Sequence, residues 1–429
     1  MKRFWWGVLI ITGVFLGGLL VGRIGLSRKV VQEEVSQNKY VTFLDEVYQI
    51  IKENYWNQLT DEQLSNIFIL GTEKLTSQSQ NVSKKDRENM KKMLEKVLNQ
   101  YDNDQKRKEF SATLADVVLS NLEPFGRSRL YSQKEEKALS DVVQNKTEED
   151  RYQDLGVTKE AKPEEIAQAY KEQAAKWNPE TNKLPEAKEK YEKIQQAYKT
   201  LSDPESRKSY DLAGVEPTMD YKLIRPDVFY VHMTKFSPTT FDEMQRVFEK
   251  VKGKPGVNSL ILDLSDNIGG AIDGLPYFLG PFIGNDQYAY QFLHQGEKQD
   301  FKTRTGWLDS LVQYKKVVVL INENTQSTAE LMTSVLKKYN VGVVVGRKSK
   351  GWGTVERVFP LKTKIDDQET FSVFLVHALS LKEDGLPIEG NGIEPQIYLD
   401  NKNWQKELME RFNTSSLVEA TSEIISKWR

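Results

Sequence analysis

The chain has 429 residues, enough for about two to three domains. Its 60 basic and 62 acidic residues leave a formal net charge of −2, so nothing marks it for a nucleic-acid partner. Zero cysteines exclude disulfides, thiol catalysis and most structural zinc sites; the three histidines, His232, His294 and His377, are scattered, and neither a metal nor a cofactor is expected.

The first element is the uncharged run from Phe4 to Gly22, preceded by Lys2 and Arg3 and closed by Arg23. It is long enough to span a bilayer core of about 30 Å, and residues 1–29 are therefore expected to anchor the chain in a membrane. A cleaved signal peptide is the alternative, but no small-x-small site follows. Arg28 and Lys29 offset the basic N-terminus, so charge alone leaves the orientation open. Residues 40–147 read as helical: Phe43, Leu44, Val47, Tyr48, Ile51 and Tyr55 recur on one face, and 84–105 is a charged amphipathic segment. In the next stretch, 148–214, Tyr191, Ile194, Ala197, Tyr198 and Leu201 fall on one side of a helix. From 218 to 402 the pattern alternates. Strand-like runs at 228–233, 259–264, 316–321, 341–346 and 371–376 are interleaved with helical ones at 240–252 and 327–339, which predicts an α/β core with a sheet covered by helices. Residues 403–429 add terminal helices at 404–412 and 417–428.

Four short segments of the core carry chemistry. NENTQSTAE, 322–330, follows an apolar run and opens a helical one, so Ser327 sits where helix N–H groups and the helix dipole favour a developing oxyanion. A serine there also fits a plain N-cap. LDLSDNIGG, 262–270, is a strand running into a glycine turn. GRKSKGWGTVE, 346–356, and DGLPIEGNGIEP, 384–395, complete the set. In this order they resemble the C-terminal processing peptidases, or tail-specific proteases, which are Ser-Lys enzymes. The resemblance runs from about residue 222 to 399. It puts Ser327 in the nucleophile place and Gly269 and Gly270 in the turn that supplies an oxyanion-hole N–H. Trp352 then falls in the place of the basic lysine and Glu356 in the supporting place. An indole N–H only donates and cannot take the serine proton. Lys350, two residues earlier, shares a face with Trp352 if the segment is extended, and is the alternative base. The helices around Asn54-Tyr55-Trp56 and the segment 114–132 are similar to the N-terminal region of the same family. The resemblance also implies an extracytoplasmic body behind the anchor.

Where that family places a PDZ domain, residues 151–214 instead resemble a J-domain, from Tyr152-Gln153-Asp154-Leu155-Gly156 through Ile166-Ala167-Gln168-Ala169-Tyr170 to Leu201-Ser202-Asp203-Pro204. The signature His-Pro-Asp loop, which the resemblance implies would engage a DnaK-type chaperone, reads Asn178-Pro179-Glu180. A kept core with altered contact residues points to an interaction or spacer module for an unknown protein partner. Three functions remain: an impaired peptidase homologue binding unstructured protein C-terminal tails or peptides, an active serine peptidase using Lys350, or a J-domain cochaperone or membrane scaffold. The first is the reading taken.

Overall fold

The computed structural model describes residues 38–428, so the anchor expected at 4–22 lies outside the described residues. Among those described, no helix is long and apolar enough to cross a membrane.

The chain starts with four helices, α1 (Lys39–Asn54), α2 (Asp61–Thr76), α3 (Arg87–Leu98) and α4 (Asp104–Ser120). The apolar stripe of α1 is buried as its spacing predicts, with Phe43, Leu44 and Val47 fully enclosed. Residues 84–105 do not form one continuous helix. Asn99 ends α3, and the Asn103 side chain accepts the Lys106 N–H at 2.9 Å to start α4, a local cap that outcompetes helix continuation.

After β1 (Arg129–Ser132) and α5 (Gln133–Gln144) come the helices of the J-like module: α6 (Arg151–Leu155), α7 (Pro163–Trp177), α8 (Ala187–Ser202) and α9 (Pro204–Ala213). Ile166, Ile194, Ala197 and Leu201 close its core, and Tyr198 stacks on Tyr170 with ring centroids 4.1 Å apart. The module enters and leaves at one place, since Thr147 donates its N–H to the Gly214 carbonyl at 2.9 Å and Lys146 bridges to Val215. Arg151 fixes it there: its guanidinium is almost fully buried, 2.6 Å from Glu216 and 2.8 Å from Asp154.

The remaining chain builds the core from β2 (Met219–Arg225), β3 (Val228–Met233), α10 (Thr240–Glu249), β4 (Ser259–Asp263), α11 (Leu275–Ile283), β5 (Tyr288–His294), β6 (Glu297–Lys302), α12 (Asp309–Val312), β7 (Lys316–Ile321), α13 (Thr328–Lys338), β8 (Val343–Gly346), β9 (Thr354–Pro360), β10 (Phe371–Leu381), β11 (Ile397–Tyr398), α14 (Trp404–Phe412) and α15 (Ser415–Ile425). One sheet has the order β11-β8-β7-β4-β3-β2, parallel except for the antiparallel edge strand β2. Its central strands have continuous apolar runs, 260–262 and 317–321, because both faces are covered: α10, α11 and α13 pack on one, α14 and α15 on the other. The second sheet has β10 at its centre, paired with β1, β5 and β9, and it carries the N-terminal helices through Val373 and Leu375. The strands β1, β2, β5, β6 and β9 were not foreseen. Most of them are short or carry charged residues, and β5, an aromatic run, gains its burial only from its neighbours.

Candidate active site

Three of the four segments singled out in the sequence leave the carboxyl ends of β4, β7 and β8, which are adjacent in the sheet, and crevices at such ends are where open α/β sheets hold ligands. Backbone contacts lock the loops together. Gln326 donates to the Asn267 carbonyl at 3.0 Å and Lys350 to the Thr325 carbonyl at 3.0 Å. The Thr325 hydroxyl donates to the Leu264 carbonyl at 2.8 Å.

Ser327 occupies the N-cap position of α13, but with φ 58° and ψ −126°. A capping serine has extended backbone; a non-glycine residue in this region is strained, and such strain clusters at functional sites. Gly269 lies directly against it: a Cβ there would come within 2.6 Å of the Ser327 Cβ. Gly270, at φ +132°, is equally tight, because a Cβ would fall 2.0 Å from the Phe236 carbonyl oxygen. Both glycines are therefore required by space as well as by φ.

The two glycines do not offer equivalent amides. The Gly269 N–H is taken by Asn267 Oδ1 at 2.8 Å. Those of Gly270 and of Thr328, at the start of α13, have no protein acceptor among the described residues. The Asn267 side chain, itself buried and donating to the Met233 carbonyl at 2.7 Å, diverts the Gly269 donor away from the cavity.

Glu330 ties the serine loop to the following one, a role the sequence reading missed. Its fully buried carboxylate accepts the Ser327 N–H at 2.8 Å, the Trp352 N–H at 2.8 Å, the Gly351 N–H at 2.7 Å and the Ser349 hydroxyl at 2.5 Å. Burial pushes this carboxyl above its usual range, against those donors. Its place three residues after Ser327 was the available signal, as the second half of a capping box.

Trp352 is thereby held next to the serine loop, at the position where the resemblance expects the base. The Arg127 guanidinium stacks on its ring 3.2 Å from the centroid and pairs with Glu389 at 3.2 Å, while Lys350 Nζ lies 5.2 Å from the same centroid. The segment between β8 and β9 is loop rather than strand, and Lys350 is exposed on it. Lys348 points elsewhere and pairs with Glu394 at 3.0 Å. Glu356, on β9, accepts from the Thr354 hydroxyl at 2.5 Å; burial raises its pKa, opposed by the hydrogen bonds of Thr354 and Trp352. Ser327, Gly270, Lys350, Trp352 and Glu356 line one cavity of about 790 Å³, roofed by Leu139 and Val142 of α5. Lys235, absent from the sequence reading, also lines it. Its amine donates to the Val142 carbonyl at 2.8 Å, and burial lowers its pKa.

Asn178, Pro179 and Glu180 lie away from this cavity, in the turn after α7. Asn178 Oδ1 accepts the Glu180 N–H at 2.9 Å, so the asparagine is spent on its own turn. Among the described residues no cluster of side chains suits a metal ion.

Residues 227–399 match Peptidase family S41. The core is S41 peptidase-like. Residues 150–211 match the DnaJ domain, so the inserted module is J-domain-like. A carboxy-terminal-processing protease of Bartonella bacilliformis is 26% identical over 204 residues, 44% of this chain and 45% of that protein. A probable CtpA-like serine protease of Staphylococcus epidermidis is 27% identical over 217 residues, 48% of this chain and 42% of that one. The match thus spans less than half the length of these S41 relatives. The chaperone protein DnaJ 2 of Thermus thermophilus is 51% identical over 65 residues, 15% of this chain and 23% of its own. A solved photosystem II D1 C-terminal processing protease superposes over 89% of this chain and 99% of its own, at 15% identity and a TM-score of 0.49.

Proposed function

We propose that this protein is a membrane-anchored S41 homologue that binds extended peptide segments or protein tails in the Ser327 cavity and is catalytically impaired. The observation that carries the reading is the occupant of the base position, an indole stacked under Arg127 instead of a lysine. A lysine base must shed its proton to accept one from serine; an indole has no lone pair to offer. General-base catalysis contributes about 10²–10⁴ in rate, so its loss leaves little turnover. Peptide binding by main-chain pairing needs no base, and the strained serine, the paired glycines and the cavity all remain. The test uses residues 38–429 with unstructured peptides and a serine-directed acylating probe. Neither cleavage nor labelling should exceed that of Ser327→Ala, and Ser327-dependent turnover would refute impairment.

A second reading is an active peptidase with a displaced lysine. It is favoured by Lys350, which lines the cavity with no carboxylate partner among the described residues, and by Lys235, whose pKa is lowered by burial. On this reading either Lys350→Ala or Lys235→Ala abolishes the activity of the parent while Lys348→Ala leaves it.

A further inference from the structure

The helix α5 roofs the Ser327 cavity without belonging to the core. No residue of α5 is buried, whereas α1 to α4 each bury several. Its apolar residues Leu139, Val142 and Val143 are three and four positions apart, on one face, and all of them line the cavity. Tyr131, stacked on Phe374 with ring centroids 5.0 Å apart, and Val358 line it too, from the second sheet. Val142 is still 53% exposed. A helix that rests on a cavity instead of on packed side chains opens at low free energy, because lifting it exposes little further apolar surface.

Apart from bonds to its own flanking residues, three polar ties among the described residues join α5 to the chain. Two lie at its start: Gln133 donates its N–H to the Thr370 carbonyl at 3.1 Å, and Ser372 donates its hydroxyl to the Glu136 carboxylate at 2.7 Å. The half that carries Leu139, Val142 and Val143 has one, from the Lys235 amine to the Val142 carbonyl at 2.8 Å. Just beyond the helix the chain is fixed again, where the Asn145 side chain donates to the Glu216 carbonyl at 2.8 Å. Lys235 is firmly rooted: the next residue, Phe236, donates its N–H to the Gly269 carbonyl and accepts that of Ala271, both at 2.8 Å. A hydrogen bond from an ammonium is about twice as strong as a neutral one, so this single tie holds the roof down.

We infer that the second half of α5 is a lid on the Ser327 cavity, latched by the Lys235 amine on the Val142 carbonyl, and that an extended chain reaches Ser327 when this bond breaks and the helix lifts. Closing over the bound chain then packs Leu139 and Val143 against it. The inference rests on the reading above that the cavity receives a ligand, and it names what controls access to that site.

The test uses the full chain with Ser327→Cys. The protein has no other thiol, so the modification rate reports access to the cavity. Two thiol reagents are compared, methyl methanethiosulfonate and a polyethylene-glycol maleimide. The ratio of bulky to small rates cancels changes in the thiol's own reactivity, which a nearby lysine alters. Lys235→Met should raise that ratio about tenfold, the effect of losing one hydrogen bond to a charged group. Lys348→Met, which removes a lysine paired with Glu394 outside the cavity, should leave it unchanged. Hydrogen exchange should show residues 138–144 losing protection in Lys235→Met while β7 and α13 keep theirs. An unchanged ratio in Lys235→Met, an equal rise in Lys348→Met, or equal loss of protection in α5 and β7 overturns the inference. Labelling requires neither peptide binding nor turnover, so a negative peptide assay tells against the proposed function and an unchanged ratio against the lid.

Discussion

Replacing Ser327 with glycine tests whether the serine is held under strain. At φ 58° and ψ −126° its backbone lies where glycine is at ease and other residues lose roughly 1–3 kcal/mol. Glycine also loosens the unfolded chain, which offsets about 0.4–1 kcal/mol. The net expectation is that Ser327→Gly stabilises the protein by roughly 0.5–2 kcal/mol, the difference of those terms. Gly269→Ala should do the reverse. Its added methyl meets the Ser327 Cβ at 2.6 Å, at a φ of +82°. The left-handed backbone costs about 1–2 kcal/mol and overpacking about 1–3, so the sum is about 2–5 kcal/mol. Because the clash is with the serine side chain, the double variant should lose less than the two single effects imply, with a coupling of at least ~1 kcal/mol. Scanning calorimetry with urea titration of the four proteins measures the cycle, a shift of roughly 2 °C per kcal/mol being expected for a domain of this size. Destabilisation by Ser327→Gly, or strict additivity with Gly269→Ala, would refute the strained-serine argument.

Arg151→Met should cost about 3–5 kcal/mol, because it leaves Glu216 buried without its cation, and limited proteolysis should then cut near residues 145–150 as the DnaJ module loosens. His232 faces Asp220 on β2, Asp263 on β4 and Lys199 of α8 beyond Asp220; burial opposes its charge, but the Asp220 hydrogen bond, Asp263 and the Ser265 carbonyl raise its pKa above 6.5. A raised folded-state pKa gives stability that is complete below about pH 6.5 and is lost as pH rises through the folded value, so His232→Gln should flatten the decline in melting temperature above that pH. The chain should fail to stimulate ATP hydrolysis by a DnaK-type chaperone, whereas Asn178→His with Glu180→Asp, rebuilding the signature loop, should gain stimulation; strong stimulation by the parent would show that Asn178 and Glu180 suffice.

Local pattern carried much of this protein. The apolar spacing of α1 and of α8, the buried runs that became β3, β4 and β7, and the four ordered motifs of the S41 core were legible because each depends on residues close together in the chain. The same holds for Trp352, which falls where the resemblance expects a lysine, and for the Asn178-Pro179-Glu180 loop. The run from Phe4 to Gly22 is known from sequence alone. What pattern could not supply are contacts between distant residues, which only packing brings together. Arg127 reaches Trp352 across the cavity; Asn267 withdraws the Gly269 amide from it; Glu330 joins three loop amides on one carboxylate; and α8 of the inserted module comes to face the bare edge of β2. None of these leaves a periodic trace, because a hydrogen bond or a stacked ring depends on the three-dimensional position of both partners, and that position is set by the whole sheet.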